Sequence, residues 1–111
     1  MPIVKIPIDR ITDWDSFHDV FTETMGFPDF YGRNMEAWIV CMSSLNSKED
    51  GMTTIHCTPP EVVTLDLGRV SVFCAKNKEI FDSLIECSAF VNHRKIKIRQ
   101  PEVIALSFWM D

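Results

Sequence analysis

Residues 27 to 38, FPDFYGRNMEAW, place two aromatic rings, a glycine, an arginine and an asparagine directly ahead of a carboxylate, Glu36. Turning the chain does not require Phe30 and Tyr31 side by side, and large rings left bare cost solubility. They either pack the linker onto a core or contact another molecule. A tyrosine suits both roles, because its ring buries area while its hydroxyl still finds a partner. Asn34 is a good helix cap, and a carboxylate two residues later lies in the first turn, where the helix dipole stabilises negative charge. The chemistry on offer is the recognition of a cation, with no bond made or broken.

Groups suited to acid–base or nucleophilic work are scattered. His18, His56 and His93 stand beside no recognisable nucleophile pattern, and adjacency of His56 to Cys57 does not make a dyad, because catalytic partners are brought together by the fold. Each reads more simply as a surface or structural histidine. Cys41, Cys57, Cys74 and Cys87 form no C-x-x-C pair, which removes zinc knuckles and thioredoxin-type redox pairs and leaves them as small apolar residues. The four glycines are isolated, so no phosphate-cradling loop exists. No catalytic residue, metal or cofactor is implied. The basic run NHRKIKIR (92–99) has no aromatic residue within it, and Arg94 and Lys95 complement the C-terminus of a preceding helix, so it does not point to direct nucleic-acid binding.

These residues have to be positioned by a chain of 111 residues, the size of one ordinary domain, 1–111. A hydrophobic content of 46% with 24% charged residues is that of a globular protein. The formal charge of −5 repels phosphates and favours basic partners. No leading apolar segment of signal length and no membrane-spanning run is present, so the cytoplasm is the simplest location and no membrane partner is expected.

IVKIPI (3–8) reads as an opening strand, with Pro7 at its end. In ITDWDSFHDVFTETMG, Thr12 and Asp15 have capping-box spacing, and Trp14, Phe17, Phe21 and Met25 recur at helical steps until Gly26. Asp15, Asp19 and Glu23 fall on its other, solvated face. Asn34 opens a second helix with an apolar stripe of Met35, Trp38, Ile39, Met42 and Leu45, from which Glu36 and Val40 point away. TTIHC (53–57) reads as a short extended piece and EVVTLDL (61–67) as a second strand. GRVSVFCAKN is either strand or short helix. KEIFDSLIECSAFVNHR is a third amphipathic helix, and VIALSFW (103–109) reads as a strand buried on both faces. Strands separated by helices imply parallel pairing.

The stretch GFPDFYGRNMEAW resembles the signature of the barstar family, small proteins that inhibit barnase-type ribonucleases. The order of elements around it agrees nearly throughout the chain, and the tight match covers about residues 26 to 45. The resemblance implies an α/β fold with a three-stranded parallel sheet packed against helices. It also implies a partner face drawn from Phe30, Tyr31, Arg33, Asn34, Glu36, Trp38 and Val40, with Glu86 from the late helix. The family uses Tyr and Asn at the positions of Tyr31 and Asn34, and carboxylates that imitate RNA phosphates in a basic active site. The first such carboxylate falls on Glu36. The second falls on Val40, which cannot imitate phosphate. The third falls on Glu86, with Asp82 as the alternative. Val40 and Trp38 would instead offer an apolar contact to a different toxin. The implied partner is a ribonuclease or other nuclease toxin. A barstar-fold interaction module with a non-nuclease partner is the second reading, and an enzyme built on Cys57 or a histidine is the third and weakest.

Overall fold

A computed structural model describes residues 2 to 110. In chain order the elements are β1 (Ile3–Lys5), α1 (Trp14–Met25), α2 (Met35–Met42), β2 (Val63–Arg69), α3 (Ser71–Lys76), α4 (Lys78–Lys97) and β3 (Ile104–Trp109). The strands form one parallel sheet in the order β1-β2-β3. Parallel neighbours need crossover connections, which α1 and α2 supply between the first two strands and α3 and α4 between the last two.

Period-two alternation sorts the sheet's side chains. Val4, Val63, Leu65, Leu67 and Ile104 are buried, while Thr64, Asp66, Ala105 and Ser107 on the opposite face are half-buried or exposed. Against the buried side pack Phe17, Phe21 and Met25 of α1, Trp38 and Met42 of α2, and Leu84 and Val91 of α4, in one continuous cluster. No helix among the described residues is long and apolar enough to cross a membrane.

Several sequence expectations need correction. The opening strand stops at Lys5, because Pro7 has no N–H to continue the ladder; Ile6 still donates to the Asp66 carbonyl at 2.9 Å. The α1 cap is Asp13 with Ser16, one residue away from the Thr12/Asp15 pair. The Asp13 carboxylate accepts from the Ser16 N–H at 2.8 Å, and the Ser16 hydroxyl accepts from the Asp13 N–H at 3.1 Å. Residues 53–57 form no strand. They are tied instead to the end of α1 and to the turn after α2, Thr54 N–H to the Met25 carbonyl and Cys57 N–H to the Leu45 carbonyl, both 2.9 Å. The ambiguous segment divides, its first residues finishing β2 and the rest making α3. The run read as buried on both faces is an edge strand with one face less covered: Ile104 is buried, whereas Ala105 is half-buried and Ser107 and Trp109, on the opposite face, are exposed.

Candidate partner-binding site

The linker between α1 and α2 is held from both ends. Gly26 ends α1 at φ 68°, with its N–H on the Thr22 carbonyl, and a Cβ there would collide with the side chain of Thr54. At the other end the Asn34 side-chain oxygen accepts from the Ala37 N–H at 2.8 Å and starts α2.

Between these caps the two rings part company. Tyr31 is buried against Phe27, with ring centroids 4.6 Å apart, and its hydroxyl lies 2.6 Å from Nδ1 of buried His18 on α1. Burial, with the Arg33 charge, holds the His18 imidazole below its usual range, and burial pushes the Tyr31 phenol up. The pair is therefore neutral, and a neutral hydrogen bond can be buried cheaply. Phe30 points the other way and is 74% exposed, beside exposed Asp29.

Arg33 closes the linker onto α1. Its guanidinium donates to the Asp15 carboxylate at 2.6 Å and the Asp15 carbonyl at 3.0 Å, and pairs with the Asp19 carboxylate at 3.0 Å. Both carboxylates raise the Arg33 pKa further. Its backbone sits at φ 54°, a left-handed conformation that costs a non-glycine residue about 1–2 kcal/mol, and the fork across two aspartates holds it there. Under the clamp lies a shallow cleft of about 370 Å³, lined by Trp14, Asp15, His18, Arg33, Asn34 and Met35.

Helix α2 presents two different sides. Trp38, Cys41 and Met42 face the core, and Trp38, expected on the partner face, is fully buried with Phe21 edge-on at 5.7 Å. The sequence stripe of Met35, Trp38 and Met42 already demanded this, because large apolar rings at that spacing fill the core first. Glu36 and Val40 lie on the outer side, Val40 53% exposed and Glu36 exposed without an ion pair or hydrogen bond among the described residues. On α4, Asp82 is half-buried and tied to Lys78 at 2.6 Å, whereas Glu86 is exposed and forms no ion pair among the described residues.

Burial raises the thiols of Cys41, Cys57, Cys74 and Cys87, which withholds the reactive thiolate.

The chain matches the model of the family described as Barstar (barnase inhibitor) over residues 1 to 100. It belongs to the barstar family. Members of that family are protein inhibitors, and the three-stranded parallel sheet with four helices is the α/β fold the resemblance implied. A comparison with curated protein sequences gives no match.

Sequence reasoning missed what anchors the linker of this barstar-family chain. Asp15 and Asp19, on the face that reads as solvated, hold Arg33, and His18, a structural histidine as its sequence context suggests, holds Tyr31. Their i, i+3 and i+4 spacing puts them on one side of α1, and that was the signal available.

Proposed function

We propose that the chain is a non-enzymatic, stoichiometric inhibitor of a ribonuclease or related nuclease toxin, an immunity or antitoxin protein that occludes a basic active site. The face is the one built from Phe30, Arg33, Asn34, Glu36 and Val40, with Glu86 alongside and Tyr31 as its buried support. One observation carries the reading. Glu36 stands outward in the first turn of a capped helix, unpaired among the described residues and next to a linker fixed by a neutral buried hydrogen bond and an arginine clamp. A nuclease grips phosphates with cations. A carboxylate carried on a backbone already fixed by the helix cap gains charge-assisted hydrogen bonds there, at the cost of ordering its own side chain alone. The excess of acid, −5 overall, adds steering toward such a cleft.

The test pairs binding with folding. The wild-type chain, titrated against ribonuclease toxins in an RNA-cleavage assay, abolishes cleavage at one molecule per toxin. Glu36→Lys lowers affinity at least a hundredfold, about 3 kcal/mol for setting like charge against a buried cation, while its thermal midpoint stays within a degree or two. Equal losses of folding and binding reject the assignment.

A second reading has its own observation. Val40, one turn beyond Glu36, presents an apolar surface where the family pattern places a second carboxylate, and it is 53% exposed. A barstar-fold interaction module with a non-nuclease partner would use that surface. Failure to inhibit any nuclease, with capture of a partner that Val40→Asp releases, supports this module over the inhibitor.

A further inference from the structure

A second cleft, of about 500 Å³, lies between two segments that leave neighbouring parallel strands at their carboxyl ends. One is the helical turn Ile8–Arg10 with Ile11, which follows β1, and the other is α3, which follows β2. Crevices outside the carboxyl ends of the strands are where open α/β sheets hold ligands. The volume is within the roughly 300–1,000 Å³ of small-molecule sites, too roomy for a single ion. The lining combines an apolar floor with two charges of opposite sign. Ile8, Ile11 and Phe73 are buried at the bottom, and Val72 adds an aliphatic side chain that is 59% exposed. The segment after β1 supplies the Asp9 carboxylate, and the segment after β2 supplies the Lys76 ammonium together with Arg69. Asp9 and Lys76 are exposed, and neither forms an ion pair among the described residues, with the other or with anything else. Their charges therefore stand farther apart than the roughly 4 Å reach of an ion pair. Asn77 ties the two segments to each other, its side chain donating to the Ile11 carbonyl at 3.4 Å.

We propose that this cleft binds a zwitterion with an apolar middle, of the class of a free apolar or aromatic amino acid or a dipeptide of such residues. The ligand's ammonium group meets Asp9, its carboxylate meets Lys76, and its side chains lie on Ile8, Ile11, Val72 and Phe73. The lining selects this class over its rivals. A plain cation or a plain anion leaves one of the two charges unanswered, and an uncharged apolar molecule leaves both. A ligand without net charge also meets no long-range repulsion from a protein of −5. None of the residues lining the cleft belongs to the partner face around Glu36, so this binding is separate from the proposed inhibition.

The probe is the dipeptide L-leucyl-L-phenylalanine, titrated into the whole chain and followed by two-dimensional amide NMR. Shifts gather at residues 8–12 and 69–77 with a Kd of about 0.1–1 mM, weak because the charged groups are open to water. Blocking either end of the probe removes one charge. The N-acetyl dipeptide and the dipeptide amide each bind about threefold more weakly or worse. Lys76→Gln costs the dipeptide about the same factor and leaves the amide, which has no carboxylate, unchanged. Asp9→Asn likewise weakens the dipeptide and spares the N-acetyl form. Both substitutions are at exposed positions and keep the wild-type melting temperature. Absence of shifts in the cleft up to about 10 mM probe overturns the proposal. So does equal binding of the three probes, which would mean an apolar crevice indifferent to charge. A Lys76→Gln chain that weakens dipeptide and amide alike also overturns it, because Lys76 would then shape the cleft without meeting a carboxylate.

Discussion

Helices α1 and α2 both carry carboxylates on their outer sides and use them in opposite ways. On α1, Asp15 and Asp19 are bound to Arg33, and Glu23 is bound to Arg10 at 2.8 Å. On α2, Glu36 has no such partner among the described residues. The α1 acids lie where a long basic side chain from the linker or the preceding turn can reach back, and they act as internal fasteners. Glu36 lies just past the helix cap, and Arg33, the one basic residue of the linker, is already engaged by Asp15 and Asp19, so Glu36 stays available. An acidic surface is therefore not one property of this molecule. Most of its outward charge near the linker maintains shape, and a small remainder is left for another molecule.

The largest perturbation removes the contrast altogether. Trp38→Ala empties the space beneath α2 and costs about 3–5 kcal/mol, because a fully buried ring leaves a cavity that neighbours fill only in part. Denaturant unfolding reads this directly. Since Trp38 is the inner anchor of the helix whose outer side bears Glu36, folding and partner binding fall together. A Trp38→Ala chain of wild-type stability would mean that α2 does not depend on its buried side.

That ring also marks where sequence reading reached its limit. The stripe through Met35, Trp38 and Met42 was legible from periodicity, as were the caps at Gly26 and Asn34, because both follow from local backbone chemistry. Trp38 was nevertheless placed on the partner face, a choice between core and surface that local pattern does not make. The uncharged run of β3 reads as buried on both faces for a related reason: composition records how apolar a strand is, and which of its faces is covered is decided by how the helices pack on the whole sheet. The Arg33 clamp was invisible. It needs a left-handed arginine and two aspartates 14 to 18 residues earlier, and no residue pattern announces that conformation outside glycine and asparagine.

Next in size is the buried hydrogen bond. Tyr31→Phe keeps the ring against Phe27 but leaves His18 Nδ1 without its partner, for a loss of about 1–3 kcal/mol. Amide exchange over residues 28 to 34 rises with it, because the hydroxyl is what joins the linker to α1 from inside. If stability drops and linker exchange does not change, the bond belongs to the core and has no part in shaping the face.

Arg33 tests the fastener side of the comparison with a smaller effect on global stability, since the guanidinium and both carboxylates reach solvent. Arg33→Gly removes the clamp and relieves the backbone at φ 54°, and Arg33→Ala removes the clamp alone. Both variants expose Asp15 and Asp19. If these acids are fasteners only, freeing them leaves the association rate with a basic partner higher, through added negative charge, while dissociation quickens because the linker is no longer held. A rise in association with unchanged dissociation would show that the clamp adds nothing to the shape of the face.

The mildest lever is pH, and its direction follows from His18. Its imidazole is held below the ordinary value of about 6.5 by burial and by Arg33, against the smaller opposing pull of Asp15 and Asp19. Above that pH the ring is neutral both folded and unfolded, and its contribution to stability is constant. As the pH falls through 6.5 the unfolded chain takes up a proton that the folded chain refuses, so stability declines, by at most about 1.4 kcal/mol per pH unit. The carboxylates of Asp13 and Glu23, lowered by Ser16 and Arg10, lose their contribution at more acidic pH, from the usual carboxylate range downward. Urea midpoints between pH 7.5 and 5 therefore fall for the wild type and stay flat for His18→Asn, which keeps a side-chain acceptor for Tyr31 but cannot titrate. The same slope in both chains would place the acid sensitivity in groups outside the linker and leave α1 contributing only its carboxylates to the site.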